Sequence, residues 1–411
     1  VGEKGRGDLG YNRREVKGMR GRRVFRSLDR YIGIPLSLGL SLFDRIHPPS
    51  ISTPEFPSSI LVIKLSAIGD TVLLIPSLRR LRMAYPDAYI AMVLTYVNSE
   101  LLEDCPYLDE IIHLDIKRPL GLLGFIKGLR KRRFDLVLDF DQWLRASPLI
   151  AYLSLARRRI GFRTPGQYRH YLYTKAILWE ERRHEVNSFF DIIRGAGVEG
   201  NDEPLELWVK DRDRATITEV LRREGVRDGD LLVGIHPARG THLHPRKWRE
   251  ENYGYVADHL IVECGVKVVF TGTKEDGEMV GQIISSMKEI PINMVGRTSI
   301  GELLALVERF SLLLCINTGV MHIAAALGTP VIALHGPDDP EKWGPWGEGH
   351  VVIRANLPCS PCSYLGFEYG CRRGLCMESI TKEEVLSACC KKIEEVRRWE
   401  GSKRSSKRES G

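Results

Sequence analysis

The chain has 411 residues, a formal net charge of +7, 43% apolar residues and 27% charged residues. At ~100–200 residues per domain the length fits two domains with tails, and the apolar fraction excludes wholesale disorder. The longest uncharged apolar run near the N-terminus, Tyr31 to Phe43, has thirteen residues. A spanning helix needs ~20, so a conventional transmembrane protein is not expected.

The charge is uneven. Residues 1–30 carry ten Lys and Arg against four Asp and Glu, residues 391–411 carry eight against four, and the 360 residues between sum to −3. A nucleic-acid-binding core would show its basic residues on a folded face, so no specific nucleic-acid partner is expected. Basic ends near an apolar segment instead suit peripheral contact with an anionic membrane surface. Read blandly, 1–20 and 399–411 are solvated tails. No secretory leader is legible, because the apolar segment begins after residue 30 and no small-residue cleavage site follows it. The expectation is a cytoplasmic chain with reduced thiols, peripheral at the inner face of the cytoplasmic membrane.

In chain order, 1–23 is a basic tail. Residues 24–46, VFRSLDRYIGIPLSLGLSLFDRI, hold an apolar middle between basic residues. Two readings compete: a segment lying in the lipid headgroup region, and a helix packed on the protein's own surface. The scarcity of charge to define a wet face favours the first. Residues 47–58 are Pro/Ser-rich and read as a linker. From Ile60, short apolar runs alternate with amphipathic helices. Strands are predicted at 60–65, 88–95, 110–114 and 134–140, with helices over 70–84 (Val72, Ile75, Leu78, Met83) and 185–196. A second half repeats the pattern. Strands are predicted at 231–237, 267–273, 311–317 and 330–336, with helices at 250–264 and 319–327. A helix over 381–398 closes the fold before a charged tail, 399–411. Strand–helix alternation predicts parallel sheets covered on both faces, in two Rossmann-like doubly wound α/β domains, 59–204 and 205–380. Ligands in such sheets sit beyond the strand carboxyl ends, and the cleft between the domains is the expected pocket.

Four segments fall at those strand ends. In LSAIGDTVLLIPSLRRLR (65–82), Asp70 opens a helix; a plain capping Asp is the bland alternative. GxGxxG is absent, which speaks against a dinucleotide enzyme. In GIHPARGTHLHPRKW (234–248), Thr241, Arg246 and Lys247 offer hydroxyl and cationic partners suited to a diphosphate. In FTGTKEDGEM (270–279), Thr273, Glu275, Asp276 and Glu278 are placed to reach a ribose or base, or to cap a helix. In CINTGVMHIAAALGTPVIALHGPDDP (315–340), Asn317, Thr318 and Gly319 turn a strand into a helix whose N-terminal N–H groups suit an anion, with His322 in its first turn.

In this order the four segments resemble glycosyltransferase family nine, the bacterial lipopolysaccharide heptosyltransferases, over roughly residues 58–395. The resemblance implies a GT-B fold, two domains facing across a cleft that holds the active site. It implies an inverting transfer of heptose from ADP-heptose to a lipid-linked inner-core saccharide, with no catalytic metal. It makes Asp70 the catalytic base. Thr241, Arg246, Lys247, Thr318, Gly319 and His322 become donor-phosphate residues, with Arg246 standing where members usually have Lys. The acids at 275–278 match a ribose-binding region loosely. Asn317 stands where many members have Asp, and is read as a sugar contact. Two other readings stay open: the same fold with another nucleotide-sugar, and a non-catalytic module binding sugar nucleotides or a membrane surface.

CSPCSYLGFEYGCRRGLC (359–376) spaces Cys359, Cys362, Cys371 and Cys376 as x2, x8 and x4. That clustering predicts a structural zinc or iron site; four reduced thiols in a loop are the alternative.

Overall fold

The structure is a computed structural model describing residues 29–46, 56–115, 119–201, 203–237, 246–363 and 374–409. Strands buried on both faces read as unbroken apolar runs, and these runs form the centres of two six-stranded sheets. The first contains β1 (Ser59–Ile63), β2 (Tyr89–Leu94), β3 (Glu110–His113), β4 (Leu136–Asp139), β5 (Arg158–Arg163) and β6 (Lys175–Leu178). Its spatial order is β3-β2-β1-β4-β5-β6. The second contains β7 (Leu232–His236), β8 (Lys267–Phe270), β9 (Ile292–Asn293), β10 (Leu312–Ile316), β11 (Val331–His335) and β12 (Val351–Arg354). Its order, β12-β11-β10-β7-β8-β9, repeats the first. Every strand pair is parallel. The architecture is of GT-B type, two doubly wound α/β halves.

Helices cover both faces of each sheet. In the first half, with α1 (Gly33–Ile46) lying against residues 169–172, these are α2 (Ile68–Ala84), α3 (Pro119–Arg132), α4 (Ala146–Leu153) and α5 (Glu185–Gly195). The second half has α6 (Asp211–Arg223), α7 (Glu250–Cys264), α8 (Gly277–Ser286), α9 (Ile300–Glu308), α10 (Gly319–Ala326) and α11 (Lys382–Glu409). α3 and α4 close the outer face of the first sheet over Leu61, Val93 and Val137. α7, α8 and α11 close the outer face of the second over Val233, Val268 and Leu314. Between the sheets, a single apolar cluster runs from α2 and α5 to α9 and α10. The halves therefore meet through buried side chains, α2 lying against α10.

Four strands escape the sequence reading. β5 and β6 lie at one end of the first sheet, and β9 and β12 are the edges of the second. β6, β9 and β12 are edge strands that bury few side chains, whereas β5, RRIGFR, buries four of six residues but its arginines and glycine break the apolar run. β5 also carries Arg159, buried because its guanidinium donates to Leu172 O and Ala156 O at 2.9 Å each. Met83, placed by periodicity on the inner face of α2, is exposed, and Leu81 is buried instead. α11 continues beyond 398 to Glu409, where a charged tail was expected. The 1–23 tail and most of the 47–58 linker lie outside the described residues. No helix among the described residues is long and apolar enough to cross a membrane.

Candidate active site

Each sheet reverses its strand order once, between β1 and β4 in the first and between β7 and β10 in the second. Ligands in open parallel sheets bind beyond the strand carboxyl ends at such points. In the first half, β1 runs into Lys64, which is fully buried. Its Nζ lies 2.9 Å from Asp70 Oδ2 and 3.6 Å from Asp141 Oδ1, and donates to Gln142 Oε1 at 3.3 Å. Asp141 in turn accepts from the Leu65 N–H at 2.8 Å. A buried ammonium needs such partners to offset its lost hydration. Asp70 is not the cap of its helix. Ala67 holds the N-cap position of α2 with no side-chain cap, and Asp70 lies in the first turn. Its carboxylate thus sits between an ammonium and a helix N-terminus, two neighbours that favour negative charge.

In the second half, β10 leads through Asn317 to Thr318, the N-cap of α10, whose hydroxyl accepts from the Val320 N–H at 3.4 Å. His322 is buried one turn into α10. Burial first, and then neighbouring His184, push it down to about 3, so the ring is neutral. Its Nδ1 has no hydrogen-bond partner among the described residues.

The two helix N-termini meet face to face. A Cβ on Gly69 would lie 2.7 Å from His322 Cδ2, and one on Gly319 would lie 3.2 Å from the Gly69 nitrogen. Glycine stands on both sides because the backbones touch there. Asp70 and the Thr318–His322 turn are therefore brought together across the boundary between the halves.

Arg246 joins this group from the β7 side. Its Nη2 is paired with Asp338, a carboxylate beyond the end of β11. Burial pushes Asp338 up, and Arg246, Asn317 and Ser363 beside it work in the opposite direction. An Asp at 317 would set a second carboxylate against this one; Asn avoids that repulsion. Arg246 Nε is buried with no partner among the described residues. Buried polar atoms are usually satisfied; Arg246 Nε and His322 Nδ1 are two at this end of the sheet that have no partner among the described residues. Lys247 does not converge; it pairs with Glu250 on α7 at 2.6 Å. Thr241 lies outside the described residues.

Beyond β8, Asp276 accepts from the Thr273 N–H at 2.9 Å and from its hydroxyl at 2.7 Å, forming a capping box. Glu275 and Glu278 face solvent. His236, at the end of β7, is buried, pairs with Thr271 Oγ1 at 2.8 Å, and is pushed down to about 4 by burial.

Sequence reasoning missed the latch between the halves. Lys342, in the short helix Pro340–Trp343, reaches into the first half. Its Nζ lies 2.9 Å from Glu185 Oε2 with both side chains fully buried, and donates to Glu180 O and Arg183 O. Glu185 also accepts from Gln142, which bonds Lys64. A continuous polar chain thus links Lys342 to Asp70. Next to it, His184 contacts Gly344 O at 3.1 Å, and Trp346 donates to Glu203 O at 2.9 Å. One signal was available: a lysine ending the apolar run ILVIKL needs a buried counter-charge.

The expected metal site is corrected. Among the described residues no group of three or more His, Cys, Asp and Glu side chains is placed to hold a metal ion. Cys359 is exposed and Cys362 half-buried, whereas Cys376 is buried in the core under β11; Cys371 lies outside the described residues. Close spacing in sequence is thus divided between surface and core, and the structural zinc or iron reading does not stand.

Two facing Rossmann-like halves, with Asp70 and the N-terminus of α10 opposed across their boundary, have the architecture of a GT-B glycosyltransferase. The sequence profile of glycosyltransferase family 9 (heptosyltransferase) matches residues 122–371. The chain belongs to that family. It is similar to lipopolysaccharide heptosyltransferase 3 of Escherichia coli, 28% identical over 310 residues, covering 70% of this chain and 85% of the relative. Among solved structures, a family 9 glycosyltransferase from Veillonella parvula superposes with TM-score 0.71 at 24% identity, covering 82% of this chain and 97% of that one. E. coli ADP-heptose LPS heptosyltransferase II superposes with TM-score 0.66 at 22% identity, covering 82% and 99%. At these identities the superpositions establish the fold.

Proposed function

We propose that this glycosyltransferase moves heptose from ADP-heptose to a lipid-linked lipopolysaccharide inner-core saccharide, with inversion at the anomeric carbon. The observation that carries the reading is the meeting of two helix N-termini at Gly69 and Gly319. One brings the Asp70 carboxylate, and the other brings His322, whose Nδ1 has no partner among the described residues. The relatives' names supply the sugar and the acceptor.

In the proposed reaction the acceptor hydroxyl oxygen attacks the anomeric carbon as the bond from that carbon to the β-phosphate oxygen breaks. The hydroxyl proton passes to Asp70. Lys64 orients that carboxylate and accompanies its change of charge. The departing ADP gains negative charge on its β-phosphate, where Arg246, the α10 N–H groups and the Thr318 hydroxyl stabilise it. The neutral His322 lends a ring nitrogen to hydrogen bonding there without repelling the Arg246 cation. Thr273 and the acids at 275–278 stand toward the nucleoside end, and Asn317 toward the sugar. A lipid-linked acceptor places the enzyme at a membrane surface, on the cytoplasmic side.

The test is a panel of nucleotide-sugars in thermal shift, followed by product analysis with the donor that raises the melting temperature most. ADP-heptose is expected to give the largest shift and a β-to-α or α-to-β change in product configuration. A larger shift from another nucleotide-sugar, or binding without transfer, contradicts the reading.

A further inference from the structure

α1 is built inside out for a helix in water. Among the described residues, the two it buries against the protein are small, with Ile34 and Leu40 half-buried beside them. Gly33 is buried against Arg145, where an added Cβ would lie 2.9 Å from the Arg145 Cβ, and Ser37 is fully buried one turn later. The residues it turns outward are large and apolar: Tyr31 (75% exposed) and Ile32 just before it, then Leu36, Leu38, Leu42 (59%) and Ile46 (65%). At 100° per residue these positions form one arc, and no charged residue interrupts the chain between Tyr31 and Phe43. A surface helix of a water-facing protein shows the reverse pattern.

The orientation is fixed. Asp29, just before the helix, pairs with Arg145 Nη1 at 2.6 Å and accepts from the Arg145 N–H at 2.8 Å. Arg145 also donates to Gln167 O and Gln167 Oε1 at 3.0 and 2.7 Å. The outward arc is thus held out rather than left loose. α3, on the outer face of the first sheet, exposes Leu122 and Leu123 ahead of exposed Lys127, Arg130 and Lys131. Residues 1–30 add ten Lys and Arg against four Asp and Glu.

An uncharged apolar arc, in a chain whose first thirty residues carry a cationic excess, matches the boundary between anionic headgroups and acyl chains. At 1.5 Å per residue α1 is about 21 Å long, short of the ~30 Å hydrocarbon core, so it lies in the interface plane and does not span. We propose that α1 is the membrane-docking element of this protein, seated on an anionic bilayer through its outward apolar arc, with the basic N-terminal segment supplying charge attraction. The proposal rests on the lipid-linked acceptor above for its purpose, but the surface is argued independently of it.

The test is co-sedimentation of the full chain with vesicles of phosphatidylcholine, with and without about 30% phosphatidylglycerol. The wild type is expected to bind the anionic vesicles, more weakly at high salt. A Leu36→Asp, Leu42→Asp variant is expected to lose at least ~tenfold in bound fraction with an unchanged melting temperature, because both side chains are exposed. Leu42→Trp is expected to bind and to show a blue-shifted emission with vesicles. Equal vesicle binding by the Asp variant, or no binding by the wild type, overturns the proposal. So does a wild-type dimer in gel filtration that the Asp variant converts to monomer, since the arc would then face a second copy. Turnover with a lipid-free acceptor is measured in parallel. Donor binding is read separately by thermal shift with ADP-heptose; no shift alongside intact vesicle binding counts against the donor reading and not against this surface.

Discussion

The two halves share one sheet order and place their polar residues at the same topological position, yet they fill it with opposite chemistry. Beyond β1 and β4 stand Lys64, Asp70, Asp141 and Gln142, a buried network of an ammonium, two carboxyl groups and an amide. Beyond β7 and β10 stand His236, Asn317, Thr318 and His322, neutral side chains around a helix N-terminus, with one cation, Arg246, tied to Asp338. The first arrangement suits accepting a proton from an alcohol. The second suits holding an anion without an excess of fixed charge. The fold gives both halves the same switch point, and the side chains found there differ in chemistry.

That contrast can be broken at several places. The largest effect is expected at the latch. Lys342→Ala strands the fully buried Glu185 and is expected to cost about 3–5 kcal/mol in urea unfolding. Glu185→Gln in the same background should recover part of the loss. If Lys342→Ala unfolds like wild type, the halves are not held by this pair.

Arg246→Ala sharpens the anion side. A charge-assisted hydrogen bond contributes about 1.5–3 kcal/mol, so donor KM is expected to rise tenfold or more with a smaller change in kcat. Arg246→Lys should restore binding in part. An unchanged KM would mean that Arg246 serves Asp338 alone.

The pH dependence of stability reads the buried histidines on both sides of the boundary. Burial holds His184, His236 and His335 down to about 4, and His322 down to about 3, against an ordinary value near 6.5. The unfolded chain therefore binds more protons than the folded one between pH ~6.5 and those values. The stability these rings contribute is complete above pH ~6.5 and is lost as pH falls through 6 and 5 toward 4. Each histidine contributes at most about 1.4 kcal/mol per pH unit. His322→Gln is expected to make the melting temperature less dependent on pH over that range. An identical slope would show that His322 protonates freely in the folded protein.

Legibility followed burial. β1, β2, β4, β7, β8, β10 and β11 read directly from apolar runs because both faces of a central parallel strand are covered. β6 is exposed at three of its four positions and left no such signature. The segments carrying Asp70, Arg246, Asn317, Thr318, Gly319 and His322 were legible because they lie just after those central strands. Lys342, Glu185 and Asp338 were not, because their meaning comes from partners 92 and 157 residues away, such as Arg246 for Asp338 and Glu185 for Lys342. The cysteine spacing misled for the same reason, since proximity along the chain did not become proximity in space.

The most direct test of the account is Asp70→Asn, which keeps the shape of the side chain and removes the proton acceptor. Calorimetry with ADP-heptose and a single-turnover transfer assay are run on the same preparation. Donor affinity close to that of wild type, with transfer slowed ~10²-fold or more, is the predicted result. Transfer at the wild-type rate would contradict the account, leaving Asp70 as no more than the counter-ion of Lys64.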